Sequence, residues 1–278
     1  MKKRGTTILL FVILLAGLSL LLYPTFSDWW NSMHQSRAVA AYVEQVEKID
    51  KDKYAELWEA AWAYNRKLTE RTNSFLLTEE QKAEYEDILN VGGTGILGYV
   101  EIPTIGVTLP IYHGTDEAVL QVAIGHVEWT SLPVGGENTH CVVSGHRGLP
   151  SARLFTDLDK LAAGDIFIFR VLDEILTYEV DQILIVEPHE VEQLQVQAGK
   201  DLCTLVTCTP YGINSHRLLV RGHRVENTEE AKKIRVTADA IQIEPVIVAP
   251  IVALPMLLVL FIGLMIPKRK NSRRNDLW

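Results

Sequence analysis

Apolar residues follow three rhythms along this chain. The first is unbroken. Thr6–Tyr23 is an uncharged apolar stretch of 18 residues, and Val246–Pro267 is another of 22. Each is long enough to cross ~30 Å of hydrocarbon as a helix. The second rhythm is helical: Val39, Val43, Val46 and Ile49, then Tyr54, Leu57, Trp58, Ala61 and Leu68, recur at i, i+3, i+4 spacing. This predicts helix over Met33–Leu68, with a break near Asp50–Asp52. Thr78 followed by Gln81 has the form of a capping box and opens a short helix to about Leu89. Gly92-Gly93-Thr94-Gly95 then punctuates the chain, and the third rhythm begins. Short apolar or alternating runs at Leu97–Ile102, Val107–Tyr112, Cys141–Ser144, Ile166–Val171, Ile175–Val180, Ile183–Val186, Leu202–Thr207 and about Arg217–Val225 read as strands. Ile175–Val180 and Ile183–Val186 can form one long strand bent around Asp181. Asp116–Val122, Ser151–Leu161 and Pro188–Gln197 read as short helical pieces, and Trp129–Asn138 as loop. Strands this short and closely spaced predict a mainly β fold, a closed or nearly closed barrel with added helices, rather than βαβ units.

Charge fixes the topology expected of the two apolar stretches. Lys2, Lys3 and Arg4 precede the first; Lys268, Arg269, Lys270, Arg273 and Arg274 follow the second. The positive-inside rule puts both termini in the cytoplasm and residues 24–245 outside the cell membrane. No small-x-small cleavage site follows the first stretch, so it reads as an anchor rather than a cleaved signal peptide. Asp28-Trp29-Trp30 just beyond it fits an interfacial aromatic belt. The expected order is a tip and anchor (1–24), a helical region (25–95), the barrel (96–227), a linker (228–245), a second transmembrane helix (246–267) and a basic tail (268–278). The chain has 27 Lys+Arg and 35 Asp+Glu; setting aside the eight basic residues just named and Asp276 leaves 19 against 34, a net of −15 for the outer part. That excludes nucleic acid and polybasic docking to anionic lipid.

The chemistry concentrates in residues 202–224. The Leu202–Thr207 strand delivers Cys208 to its end, the loop Thr209–Ser215 turns the chain, and a strand returns from Arg217. A thiol and a guanidinium at one rim of a sheet form a candidate nucleophile with a group to hold an oxyanion. His146 ends another strand, in Gly145-His146-Arg147-Gly148, where the glycines let backbone approach a substrate closely. Imidazole is the side chain suited to giving a leaving amine its proton near neutrality. Cys203 and Cys208 are five residues apart on one strand, too far to bridge and on opposite faces; Cys141 and Cys203 could meet across neighbouring strands or stay as buried thiols. There is no CxxC or HExxH, so neither a metal nor a cofactor is expected.

Thr204-Leu205-Val206-Thr207-Cys208 resembles the TLxTC signature of sortases, the membrane-anchored cysteine transpeptidases of Gram-positive bacteria. Ser144-Gly145-His146-Arg147-Gly148 resembles the segment bearing that family's His, and Arg217 stands where its Arg would stand. The likeness extends through Gly136, Thr139-His140 and Leu154-Phe155-Thr156-Asp157-Leu158, covering roughly residues 96–225. It implies an eight-stranded sortase β-barrel with Cys208 as nucleophile, His146 as general acid/base and Arg217 steadying substrate and oxyanion. The N-terminal helical region, the C-terminal span and the run from Cys208 to Arg217 look most like class C, the pilus-assembling sortases. Such enzymes cut an LPxTG-like sorting signal, hold the pilin as a thioester and pass it to a lysine of the next pilin. The resemblance leaves two alternatives, a sortase that attaches surface proteins to cell-wall precursor and a non-catalytic membrane-tethered assembly factor. One departure stands out: the Asp-Pro-aromatic lid motif common in class C does not occur between Leu68 and Gly95, where Asn73-Ser74-Phe75-Leu76-Leu77 comes nearest.

Overall fold

The computed structural model describes residues 2–70 and 75–227; the linker, second apolar stretch and basic tail expected over 228–278 lie outside the described residues. Helix α1 runs over Lys2–Glu47 and takes in the first apolar stretch together with the start of the periodic one. Its leading part is long and apolar enough to cross a membrane, and Leu9, Leu10, Ile13 and Leu20 stand exposed along it. The described residues from Phe26 to Asn227 belong to a separate compact unit.

Within that unit α1 ends at Glu47 and α2 (Lys51–Glu70) begins, so the break over residues 48–50 overlaps the one expected near Asp50–Asp52. The Asp50 carbonyl accepts from both Lys53 N (3.0 Å) and Tyr54 N (3.3 Å), which restarts the helix. Of the apolar stripe, Val39, Val46, Trp58 and Ala61 are buried, Val43, Ile49, Tyr54, Leu57 and Leu68 pack half-buried against the core, and Tyr42 and Tyr64 join the buried set. Polar tips fix the packing. Tyr42 Oη donates to Leu97 O (3.1 Å) and accepts from Leu172 N (2.8 Å), and Trp58 Nε1 donates to Asp173 Oδ1 (3.0 Å). Helix α3 (Glu79–Asp87) opens with the capping box: Gln81 N donates to Thr78 Oγ1, and Thr78 N donates to Gln81 Oε1.

Eight strands close the barrel: β1 (Ile96–Ile102), β2 (Val107–His113), β3 (Ile124–His126), β4 (Thr139–Ser144), β5 (Ile166–Val171), β6 (Glu174–Val186), β7 (Asp201–Thr209) and β8 (His216–Val225). Around the barrel their order is β1-β2-β3-β4-β7-β8-β6-β5. A helical turn, α4 (Glu117–Leu120), leads into β3. Strand β6 is the long bent strand, with its register shift at Asp181, between Val180 and Gln182. The pairings that matter for the site are β4 with β7, parallel, and β7 with β8, antiparallel.

Three local expectations need correction. Ser151–Leu161 is a run of turns with a single 3-10 turn at Leu158–Lys160, not a helix. Leu154 has a left-handed φ of 38°, and Phe155 N donates to His146 O (3.1 Å), so tertiary packing of Leu154, Phe155, Leu158 and Leu161 overrides their helical spacing. Of Pro188–Gln197 only Glu192–Leu194 is helical, again as a 3-10 turn. Strand β3 is absent from the sequence reading because three residues carry too little pattern to register.

Candidate active site

Side chains along a strand alternate between faces. On β7, Cys203 and Leu205 enter the main core, whereas Val206 belongs to a second apolar cluster with Val142, Leu194 and Leu219. Cys208 shares the Val206 face. It is half-buried and free. On β8 the residue opposite Cys208 is Arg217, and cross-strand partners project to the same side. Arg217 therefore stands beside the thiol, its Nη1 donating to the carbonyls of Asn214 (3.3 Å) and His216 (3.1 Å) in the connecting loop.

His146 comes in from the other flank. The last β4–β7 pair is Ser144 with Val206, and His146 lies two residues past the end of β4. Two bonds still tie this segment to β7: Gly145 N donates to Val206 O (3.0 Å) and the Thr207 hydroxyl donates to Gly145 O (2.8 Å). Cys208 and Arg217 are therefore cross-strand partners on β7 and β8, and His146 follows the end of β4, the strand on the other side of β7.

The surroundings add residues that the sequence did not single out. Glu117, on α4, brings a carboxylate oxygen to 3.8 Å from His146 Nε2. Nothing in the sequence links these two positions; β3 joins them by pairing Gly125 with Ser144. Arg147 turns inward, donating to Thr209 Oγ1 (3.3 Å) and to the Asp159 carboxylate, and so braces the end of β7 just past Cys208. The two glycines flanking His146 are needed for packing within the protein. A Cβ on Gly145 would meet Ile124 and Phe155, and one on Gly148, whose φ is 76°, would meet the Tyr211 ring.

The apolar cluster on the Cys208 face continues through Val127, Trp129, Leu184 and Val186, which pack partly buried against it. Phe75, from the segment nearest to a lid motif, sets its ring edge-on to Trp129 with centroids 5.0 Å apart. The other two cysteines lie inside. Cys141 and Cys203 are register partners, buried and free. Burial works against a thiolate at both. At Cys141, hydrogen bonds with Cys203 and His126 outweigh it and lower the thiol's pKa, while Cys203 is pushed up.

Residues 100–225 match the Sortase family, described as the sortase domain. Sortase D of Bacillus subtilis (strain 168) is 32% identical over 131 residues, 46% of this chain and 63% of that protein. Sortase A of Streptococcus agalactiae serotype III (strain NEM316) is 31% identical over 41% of this chain and 47% of its own, so these matches span one half to two thirds of the relatives' length. Among solved structures, sortase C1 from Streptococcus agalactiae is 49% identical, with TM-score 0.67, covering 69% of this chain and 100% of that one. A Streptococcus pneumoniae sortase C, described with reference to catalysis and pilin substrate specificity, is 48% identical with TM-score 0.63, covering 68% and 97%. A Clostridium perfringens sortase C, solved with a C-terminal cell wall sorting motif, is 43% identical with TM-score 0.61, covering 68% and 98%. On the shared barrel and this level of identity, the chain belongs to the sortase family of cysteine transpeptidases, with class C sortases as its structural relatives.

Proposed function

We propose that this chain polymerises pilins by transpeptidation. In the first half-reaction the Cys208 sulfur attacks the threonine carbonyl of an LPxTG-like sorting signal. Arg217 donates hydrogen bonds to the oxyanion, the bond to glycine breaks, and His146 supplies the proton that the leaving amine takes up. The pilin is left as a thioester on Cys208. In the second half-reaction a lysine amine of the next pilin attacks that thioester, His146 takes its proton, and the sulfur departs. No cofactor enters either step. The observation that carries the reading is the pairing of Cys208 with Arg217 across β7 and β8, with His146 two residues past the end of β4, the strand on the other side of β7. The class C likeness supports pilin as substrate, since one such relative is described in terms of pilin specificity and another holds a sorting motif. The apolar N-terminal helix would anchor the enzyme, with the barrel outside the cell and both termini in the cytoplasm.

The test is to incubate the protein with a pilin bearing an LPxTG-like signal and look for covalent ladders on a denaturing gel. Ladders that vanish in Cys208→Ala and His146→Ala support the reading. Ladders that persist in Cys208→Ala overturn it.

A further inference from the structure

The signature Thr-Leu-Val-Thr-Cys contributes one residue, Cys208, to the chemistry just described, and its threonines are left without a task. Both are buried, and each spends its hydroxyl on a neighbouring segment. Thr204 Oγ1 meets His140 Nε2 at 2.7 Å; the other ring nitrogen of His140 donates to Gln195 O (2.9 Å), so in the neutral ring the threonine is the donor. Thr207 Oγ1 donates to Gly145 O at 2.8 Å. That second carbonyl belongs to the peptide joining Gly145 to His146. Fixing its direction fixes the plane of the peptide, and with it the direction in which the His146 Cα–Cβ bond leaves the backbone.

Three further contacts close on the same two residues. Gly145 N donates to Val206 O (3.0 Å), and His146 O accepts from Phe155 N (3.1 Å). The Gly145 Cα is so close to Ile124 and Phe155 that an added Cβ would stand 2.7–2.8 Å from their side chains. Of the three hydrogen bonds, that from the Thr207 hydroxyl alone comes from a side chain, and Thr207 sits next to the nucleophile in sequence. We infer that Thr207 is a positioning residue: from the cysteine strand, through the Gly145 carbonyl, it holds His146 at the height where the imidazole serves Cys208. It touches no substrate. This inference rests on the proposed roles of Cys208 and His146.

Turnover of a fluorogenic LPxTG-type peptide, with a lysine amine as acceptor, separates positioning from mere stability. Thr207→Val keeps the shape and removes the donor, and Thr207→Ala takes its place should the valine variant fail to fold. We expect kcat to fall by about tenfold or more, given that a ~1 Å misplacement can cost about 100-fold, with KM within about twofold of wild type. Alkylation of Cys208 by iodoacetamide should be unchanged, and Thr207→Ser should restore most of kcat. Thr204→Val breaks another buried hydroxyl bond three residues earlier on the same strand; it should lower Tm comparably and leave kcat near wild type. Wild-type kcat in Thr207→Val overturns the inference, as does a loss that Thr204→Val shares or that Thr207→Ser fails to repair. An active wild type with an inert His146→Ala and an undisturbed Thr207→Val defeats this inference alone; turnover that survives His146→Ala defeats the proposed roles and this inference with them.

Discussion

Replacing Gly145 with alanine adds one methyl group where His146 leaves its strand. Gly145 lies outside the left-handed region, so the alanine backbone is unstrained and the cost is steric. The new carbon would stand 2.7 Å from Ile124 Cγ2 and 2.8 and 3.1 Å from Phe155 Cδ2 and Cγ. Ordinary carbon contacts need ~3.5–4.0 Å, so a shift of roughly 0.7 Å or more must be found. Ile124 and Phe155 are fully buried and cannot swing into solvent, which leaves the Gly145–His146 backbone to move. Overpacking of this kind costs about 1–3 kcal/mol, a fall in Tm of about 2–12 °C for a domain of ~150–250 residues. A displacement approaching 1 Å at a general acid is enough for about a 100-fold loss of rate. The assay pairs a thermal melt with kcat on an LPxTG-type peptide, measured well below the variant's Tm. Phe155→Leu, by removing ring atoms, should return part of both losses in the double variant. Wild-type kcat and Tm in Gly145→Ala would refute the claim that close packing at this glycine sets the position of His146.

Arg217→Lys should not sustain peptide turnover, because an ammonium cannot reproduce the planar fork of donors; near-full kcat would remove Arg217 from the mechanism. Arg170 and Glu101 form a buried ion pair (3.1 Å) between β1 and β5. Arg170→Leu should cost about 3–5 kcal/mol by denaturant melt, since the carboxyl stays buried without its counter-charge, while Arg170→Leu with Glu101→Leu should recover most of it. His140 is held below the ordinary histidine value of 6.5 by burial, although its bond to Gln195 opposes this. Its folded value is the lower one, so the unfolded chain binds the extra proton: stability is fully present above 6.5 and lost as pH falls below it, by at most about 1.4 kcal/mol per pH unit. A pH series of melts should show this acid-side loss, and His140→Gln should reduce it.

What the sequence made legible is what repeats locally. The α1–α2 stripe, the Thr78–Gln81 box and the alternation of the longer strands each draw on neighbours a few residues away. The bend at Asp181 was visible too, and the structure supplies its partner: Arg221 donates through Nε (2.9 Å) and Nη2 (3.0 Å) to the Asp181 carboxylate across the register shift. The failures come where distant chain decides. Leu154, Leu158 and Leu161 are spaced like a helix, but each is drawn into the core separately, and the Phe155 amide is taken by His146. Glu117 reaches His146 only because β3, too short to be read, lays α4 beside the end of β4. The Thr207 hydroxyl was present in the signature as a letter; its partner, a backbone carbonyl 62 residues away, has no letter at all.

The same pair of strands explains why three cysteines have two fates. Strands β4 and β7 run parallel in unbroken register from Thr139 with Asp201 to Ser144 with Val206. Along that register Cys141 meets Cys203, and Cys208 follows Cys203 by five residues on β7. Five is odd, so Cys208 faces away from the buried pair. Inside, two thiols share hydrogen bonds with each other and with His126, and the more acidic of them, Cys141, has no path to a substrate. Outside, Cys208 is half-buried beside Arg217, on the face that it shares with Val206. Cys141 and Cys203 are buried, so of the three thiols Cys208 is the one open to a substrate, and strand parity is what puts it there.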